Sequence, residues 1–146
     1  MNTEEQETIA QIRDTVFKVS EEFPGTYWQE KDRERAYPTE FVNRLTELGL
    51  LASLIPEEYG GSGLSIIMGA EILKAIHEFG GNAGACHAQM YTMGTVLRHG
   101  SNEQKQKYLP KIASFWHQQI LIRTIPITVK SMITEFHTIS SLLNIY

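Results

Sequence analysis

The chain has 146 residues, of which 42% are hydrophobic and 21% are charged, and its formal net charge at pH 7 is −4. These values are typical of one globular domain, and they argue against nucleic acid or an anionic membrane as the main partner. The single cysteine, Cys86, excludes an internal disulfide. The acidic N-terminus does not resemble a signal or transit peptide, and no apolar run is long enough for a membrane span, so we expect a cytoplasmic location.

The first 50 residues predict two amphipathic helices separated by a loop. In the first helix the apolar residues repeat at intervals of three and four, which places them on one face, and the apolar residues of the second helix are also interpreted as its buried face. Pro24-Gly25 ends the first helix, and the charged stretch 27–36 is predicted to be loop. Pro38 suits the first turn of the second helix, and Gly49 suits the left-handed position after its last turn. The stripes are Ile9, Ile12, Val16, Val19 and Phe23, then Phe41, Val42, Leu45 and Leu48.

Three further helices are predicted after a glycine-containing loop at residues 56–63. Each has a polar residue suited to capping its first turn and a glycine or proline near its end. The caps are Ser65 for the third helix, Asn82 for the fourth, and Ser101 with Gln104 for the fifth. Gly80-Gly81 ends the third helix and Gly100 ends the fourth, while Pro110 either ends or kinks the fifth. The sequence therefore predicts an all-α bundle of about five helices over residues 1–114.

The composition changes abruptly after residue 114. All 11 glycines lie at or before Gly100, and residues 115–146 contain only three Lys, Arg, Asp or Glu side chains. The patchy apolar alternation from Ile120 to Val129 predicts an irregular or partly extended tail. A native C-terminal element, a frameshifted or misjoined end, and a disordered segment all remain open for residues 115–146.

Two patterns suggest ligand sites, but each has a simpler structural explanation. The segment Gly60 to Gly63 lacks the Lys-Ser/Thr of a P-loop and the third glycine of a dinucleotide fingerprint, so it is interpreted as a tight interhelix turn. His77-Glu78 begins like a zinc-protease motif, but Gly81 stands where the second histidine is required. We therefore predict no metal site.

The sequence gives equally little support for a catalytic side chain. Cys86 has no basic neighbour in sequence that would activate its thiol, so a small buried residue is the better interpretation. Glu57-Glu58 lies in a turn, where adjacent carboxylates do not normally face one point. We therefore predict no catalytic residue.

The fourth predicted helix has two different faces. At about 100° per residue, one face is apolar and is interpreted as core. The other mixes small residues with two rings, and small residues allow close approach of either a second helix or a ligand, so both alternatives stay open. The core face comprises Cys86, Met90, Met93 and Leu97, and the mixed face comprises Gly84, His87, Ala88, Tyr91 and Thr95.

Three consecutive segments form a specific combination. They read LGLLASLIPEEYGGSGLS from Leu48, AEILKAIHEFGG from Ala70, and GACHAQMYTMGTVLRHGSNEQKQKYLPKIAS from Gly84. With the R-x-x-x-Y-P-x-E-F stretch from Arg33 to Phe41, they resemble the N-terminal helical domain of acyl-CoA dehydrogenases. The resemblance covers residues 1–114.

The resemblance implies a fold, a reaction and a site. Complete family members have this helical domain, a β-rich middle domain and a C-terminal four-helix domain, with FAD between the last two. A glutamate removes the α-proton of an acyl-CoA while hydride passes to the flavin. The helical domain supplies part of the acyl-chain cavity, which implies that Gly84, His87, Ala88 and Tyr91 bind substrate. A homo-oligomer is expected of the full-length family.

The tail departs from the family pattern. Phe115-Trp116-His117 replaces the usual Gly-Glu/Asp, and no T-E-P flavin segment follows. We therefore expect an inactive fragment that does not hold FAD alone. The alternatives are a non-catalytic helical module that binds a partner or an acyl group, and the corresponding domain of an acyl-CoA oxidase or flavin monooxygenase. The bulk of His87 and Tyr91 predicts a short or closed cavity.

Overall fold

The computed structural model describes residues 3–114, which form six α-helices, two 3₁₀ turns and no strand. The predicted all-α fold is confirmed for these residues, whereas the tail predicted for 115–146 lies outside them. No helix in the described part is long and apolar enough to cross a membrane. The helices are α1 (Thr3–Glu22), α2 (Gly25–Glu34), α3 (Thr39–Glu47), α4 (Ile66–Glu78), α5 (Gly84–His99) and α6 (Asn102–Ala113), with 3₁₀ turns at Leu50–Ala52 and Glu57–Tyr59.

Most of the apolar residues predicted to form stripes meet in one core. Leu48 is an exception to the prediction, because it lies just after the end of α3 and is 40% exposed. Helix α1 packs mainly on α4, and α5 packs mainly on α6. Helix α3 and the turn Leu50–Ala52 join the two pairs, because α3 contacts α1 and the turn contacts both α5 and α6. Burial of these side chains is the main favourable contribution to folding. The largest fully buried residues are Phe41, Leu45, Leu51, Ile55, Ile72, Ile76, Met93 and Leu109.

Helix α2 corrects the prediction that residues 27–36 form a loop. None of its residues is fully buried, so it lacks the apolar stripe that marks a helix in the sequence. Its C-terminal turn ends at Arg35 in the left-handed conformation, where glycine is usual, and the amides of Arg35 and Ala36 donate to the carbonyls of Asp32 and Lys31. The helix is held by ring contacts: Trp28 packs edge-on against Phe41, with centroids 4.8 Å apart.

The connection between α3 and α4 is a turn that folds back on itself. The amide of Gly63 donates to the carbonyl of Ile55 at 2.8 Å, and that of Leu64 donates to Ser53 at 2.7 Å. A Cβ at Gly61 would lie 2.0 Å from the Ile55 carbonyl oxygen, so only glycine fits there. This pairing confirms the interpretation of residues 60–63 as an interhelix turn.

Most of the predicted helix ends are confirmed. Ser65 accepts from the Met68 amide, and Ser101 and Gln104 form the full capping box. At the end of α4, the amides of Gly80 and Gly81 donate to His77 and Ile76 in a Schellman arrangement.

Two helix ends differ from the prediction. The side chain of Asn82 accepts from the Gly84 amide at 2.8 Å, but the residue that immediately precedes α5 is Ala83. Pro110 does not end α6, which continues to Ala113. A helix can contain an interior proline when the loss of one amide donor is offset by tertiary packing, and here Leu109 and Ile112 on either side of Pro110 are buried.

Candidate functional site

Helix α5 presents one face to the core and the other to solvent. Cys86, Met90 and Met93 are buried as the sequence predicted. Val96 completes this face with 5% exposure, whereas Leu97, which the sequence assigned to the core, is only half-buried. The contact of α5 with α6 and with the turn Leu50–Ala52 fixes which face points inward.

The mixed face of α5 lies on the outside. Gly84, His87 and Ala88 are exposed, and Tyr91 is half-buried. The rings of His87 and Tyr91 are neighbours one turn apart, with centroids 6.4 Å from each other and planes tilted by 43°. The hydroxyl of Thr95 donates to the Tyr91 carbonyl at 3.1 Å. No helix among the described residues covers the backbone at Gly84 and Ala88, so this part of the chain contains no helix–helix contact that would explain their small size.

The glycine-rich turn has little capacity to bind a phosphate or the pyrophosphate of a dinucleotide. A phosphate cradle requires several backbone amides that point at the ligand. Here the amides of Gly60, Gly61, Gly63 and Leu64 all donate to carbonyls of the chain itself. The turn therefore has a structural role, and it does not fit the flavin cofactor.

Cys86 is buried, and desolvation of the thiolate raises the pKa of its thiol to about 12. At neutral pH the thiol is therefore protonated and a poor nucleophile. Tyr37, which the sequence singled out only as part of a motif, lies close enough to Cys86 for the two groups to repel each other at alkaline pH, when both are deprotonated. The pKa of Tyr37 is raised, first by desolvation of its partly covered hydroxyl and second by this repulsion. Spatial proximity of this kind has no signal in the local sequence.

The remaining candidates are dispersed over the surface. Glu57 and Glu58 are exposed in the turn Glu57–Tyr59, and His77 and His99 are exposed on α4 and α5. No three His, Cys, Asp or Glu side chains among the described residues are grouped so that they could hold a metal ion. Within residues 3–114, the candidate residues that lie together are therefore those of the mixed face of α5.

Comparison with known proteins gives a consistent result. The family described as "Acyl-CoA dehydrogenase, N-terminal domain" matches residues 3–115. The chain is 34% identical over 109 residues to mitochondrial isovaleryl-CoA dehydrogenase of Bos taurus, covering 71% of this chain and 25% of the relative. It is 30% identical over 125 residues to the Solanum tuberosum enzyme of that name, covering 82% and 30%.

A third relative extends the similarity to another member of the family. Mitochondrial short-chain specific acyl-CoA dehydrogenase of Rattus norvegicus is 31% identical over 106 residues, covering 70% of this chain and 26% of the relative. No solved structure gives a significant match. The chain spans about a quarter of the length of the curated relatives it matches. From the helical fold and this family match, the chain belongs to the acyl-CoA dehydrogenase family, of which it carries the N-terminal domain.

Proposed function

We propose that this chain contributes the acyl-chain side of the substrate cavity in a flavin-dependent α,β-dehydrogenation of acyl-CoA thioesters. Gly84, His87, Ala88 and Tyr91 are the proposed substrate-binding residues. The observation that carries the proposal is that this face of α5 is outward and includes small residues, so a ligand could approach the helix backbone closely. The relatives named as isovaleryl-CoA and short-chain acyl-CoA dehydrogenases support the reaction class.

The reaction chemistry itself is proposed to come from parts of the enzyme other than residues 3–114. The Cys86 thiol is buried with a pKa of about 12, and the adjacent Glu57 and Glu58 are exposed in a turn. Neither arrangement suits a base that removes a proton from bound substrate. In the glycine-rich turn, the amides of Gly60, Gly61, Gly63 and Leu64 already donate to carbonyls of the chain. We therefore propose that the 146-residue chain binds no FAD alone and does not oxidise acyl-CoA alone.

The proposal that the outward face of α5 lines the acyl-chain cavity can be tested with a bulky substitution on that face. Ala88→Trp would place a large ring over the exposed backbone of α5, and binding of butyryl-CoA to the full chain should weaken about tenfold or more. Gln106→Trp on the exposed surface of α6 is the matched control and should leave binding unchanged. Isothermal titration calorimetry and circular dichroism would report affinity and folding. Equal affinity for the two variants would contradict the assignment.

A separate assay tests the proposal that the chain does not oxidise acyl-CoA alone. The purified chain should show no flavin absorbance, and it should not reduce an artificial electron acceptor when butyryl-CoA is added. Copurified FAD with turnover of butyryl-CoA would disprove this part of the proposal while leaving the cavity assignment intact.

A second candidate is a non-catalytic helical module that binds a partner protein. It is favoured by one observation, the exposure of Ile66 and Ile67 at 72% and 62% in the first turn of α4. Exposed apolar residues that adjoin one another often mark an interface. Gel filtration distinguishes the candidates, because a module of this kind should self-associate or capture a partner without any dependence on acyl-CoA.

The nature of residues 115–146 is also open to experiment. We propose that they are not homologous to the family, since Phe115-Trp116-His117 replaces its usual continuation. Reading the other two frames of the coding sequence beyond Ser114 should recover a T-E-P-type segment if a frameshift is responsible. The same downstream sequence would show whether the chain belongs to the dehydrogenase, oxidase or monooxygenase branch. We also propose that a full-length member forms a homo-oligomer.

A further inference from the structure

Helix α2 lies against the connection between α4 and α5. A Cβ atom added to Gly81 would lie 3.3 Å from Cζ2 of Trp28 and 3.0 Å from Cγ2 of Ile76, so the backbone of Gly81 is enclosed between the indole and the end of α4. Gly81 does not adopt a positive φ, and its amide donates to the Ile76 carbonyl at 2.9 Å. Close packing by Trp28 and Ile76, rather than an unusual conformation, therefore favours glycine at this position.

Residues 80–83 are bonded in turn to the first turn of α5. The side-chain oxygen of Asn82 accepts from the Gly84 amide at 2.8 Å, and the carbonyl of Ala83 accepts from the His87 amide at 2.8 Å. Ala83 is also buried. The backbone under Trp28 is thus continuous with the residues that begin α5, and a change in its position bears on that turn.

A second attachment of α2 lies at the surface of α3. Glu40 accepts a hydrogen bond from the Tyr27 hydroxyl at 2.9 Å and forms an ion pair with Lys31 at 3.2 Å. The indole of Trp28 packs on Phe41, but no residue of α2 is fully buried. Exposed ion pairs contribute little to stability, and segments with little buried apolar surface open most readily. Helix α2 can therefore open while the core stays folded.

Both ends of α2 suit a hinge. Pro24 precedes the helix in an extended conformation and provides no side-chain cap for its first turn. After the last turn, Arg35 has a φ of 52°, the only positive φ of a residue other than glycine among residues 3–114. This left-handed conformation is unfavourable for a side chain with a Cβ, so undocking of α2 would relieve local strain at Arg35. The two ends are therefore the positions at which we expect the chain to change direction.

We propose that α2 is a strap, which in its docked position holds residues 80–83 and the first turn of α5 in place through Trp28. When α2 moves away from the core, these residues loosen while the remainder of α5 stays packed. This coupling goes beyond the proposed function and does not depend on an acyl ligand. Because Gly84 directly follows residues 80–83, the docked strap also fixes the N-terminal end of the outward face of α5.

Releasing the strap from α3 tests the coupling. Glu40→Ala removes the bonds to Tyr27 and Lys31 but leaves the Trp28 and Ile76 side chains around Gly81 unchanged. In the complete 146-residue chain, amide hydrogen exchange measured by NMR should accelerate about fivefold in residues 25–34 and by a similar factor at Gly81. Residues 88–99 should exchange at the same rate as in the unsubstituted chain.

Glu47→Ala is the matched control for this variant. Glu47 is an exposed carboxylate of the same helix, but it pairs within α3, with Arg44 at 3.5 Å. The control should leave exchange in residues 25–34 and at Gly81 unchanged, and circular dichroism should show equal helix content in the two variants.

Gly81→Ala tests the coupling in the opposite direction. The added methyl group would press on Trp28, so exchange in residues 25–34 should accelerate about threefold or more. In a chain that already carries Trp28→Ala, the same substitution should not accelerate these residues further, because the contact is gone.

Three results would overturn the strap. The first is acceleration of residues 25–34 in Glu40→Ala without acceleration at Gly81, or no acceleration in either. The second is equal acceleration in residues 88–99, since α2 would then open only with the whole domain. The third is an additive effect of Gly81→Ala and Trp28→Ala on residues 25–34. None of these measurements uses acyl-CoA, so such a result leaves the proposed function unaffected.

Discussion

Helices α5 and α2 are attached to the same core in different ways. Helix α5 buries Cys86, Met90, Met93 and Val96 on one side, whereas α2 has no fully buried residue. Helix α2 is held instead by edge-on ring contacts to Phe23 and Phe41, and by a surface cluster in which Tyr27 and Lys31 both contact Glu40. Continuous burial gives a periodic sequence signal, but a few ring contacts do not.

The difference also bears on function. Because α5 is fixed through one face, its other face stays open at a constant position, which suits a ligand surface built on a rigid element. Helix α2 depends on contacts at the surface, so we expect it to open more readily than the remaining domain. The three changes below test this contrast, from the largest expected effect to the smallest.

Met93→Ala should produce the largest loss. Met93 is fully buried on α5, and its truncation should lower the free energy of unfolding by about 3 kcal/mol through lost burial and a residual cavity. His87→Ala on the outward face of the same helix should change stability by less than about 0.5 kcal/mol. Urea denaturation monitored by circular dichroism would measure both. Similar losses in the two variants would show that α5 is not anchored through one face.

Trp28→Ala should have a smaller and more local effect. It removes the ring contact with Phe41, at a cost of about 1.5 kcal/mol. We expect amide hydrogen exchange to accelerate mainly in residues 25–34, because no residue of α2 is fully buried. The exposed Gln29 gives a matched control, since Gln29→Ala should leave exchange nearly unchanged. Equal acceleration in α5 would mean that α2 opens only together with the whole domain.

Tyr27→Phe should have the smallest effect, about 0.5 kcal/mol, because its hydrogen bond to Glu40 is exposed. Partial burial, reinforced by that bond, raises the pKa of Tyr27 from 10.0 to about 12. The folded state thus favours the neutral phenol, so this stabilisation is fully present below pH 10 and is lost as the pH rises from 10 to 12. Near-ultraviolet titration of the wild type minus the variant should show one phenol ionising near pH 12. A difference curve centred at pH 10 would contradict the partly buried, hydrogen-bonded environment of Tyr27.

Much of the fold was predictable because local and tertiary signals agreed. The repeats through Val16 and Leu45, the caps at Ser65 and Ser101, and the turn glycines all matched the structure. Helix α2 itself was not predicted, since it has no fully buried residue and therefore no apolar stripe, and it ends at Arg35 in a conformation that usually indicates glycine. Pro110 was predicted to end or kink the fifth helix, and the first alternative is wrong because α6 continues past it, with Leu109 and Ile112 buried.

For the candidate site, sequence spacing alone grouped Gly84, His87, Ala88 and Tyr91 on one side of a helix, because the helical period determines which residues share a face. Whether that side met solvent or another helix was decided by tertiary structure, since it depends on where α6 and the turn Leu50–Ala52 pack. The same packing buries Cys86 and brings Tyr37 near it. Periodicity is a property of the chain, whereas exposure, desolvation and long-range proximity exist only once the helices have been placed against one another.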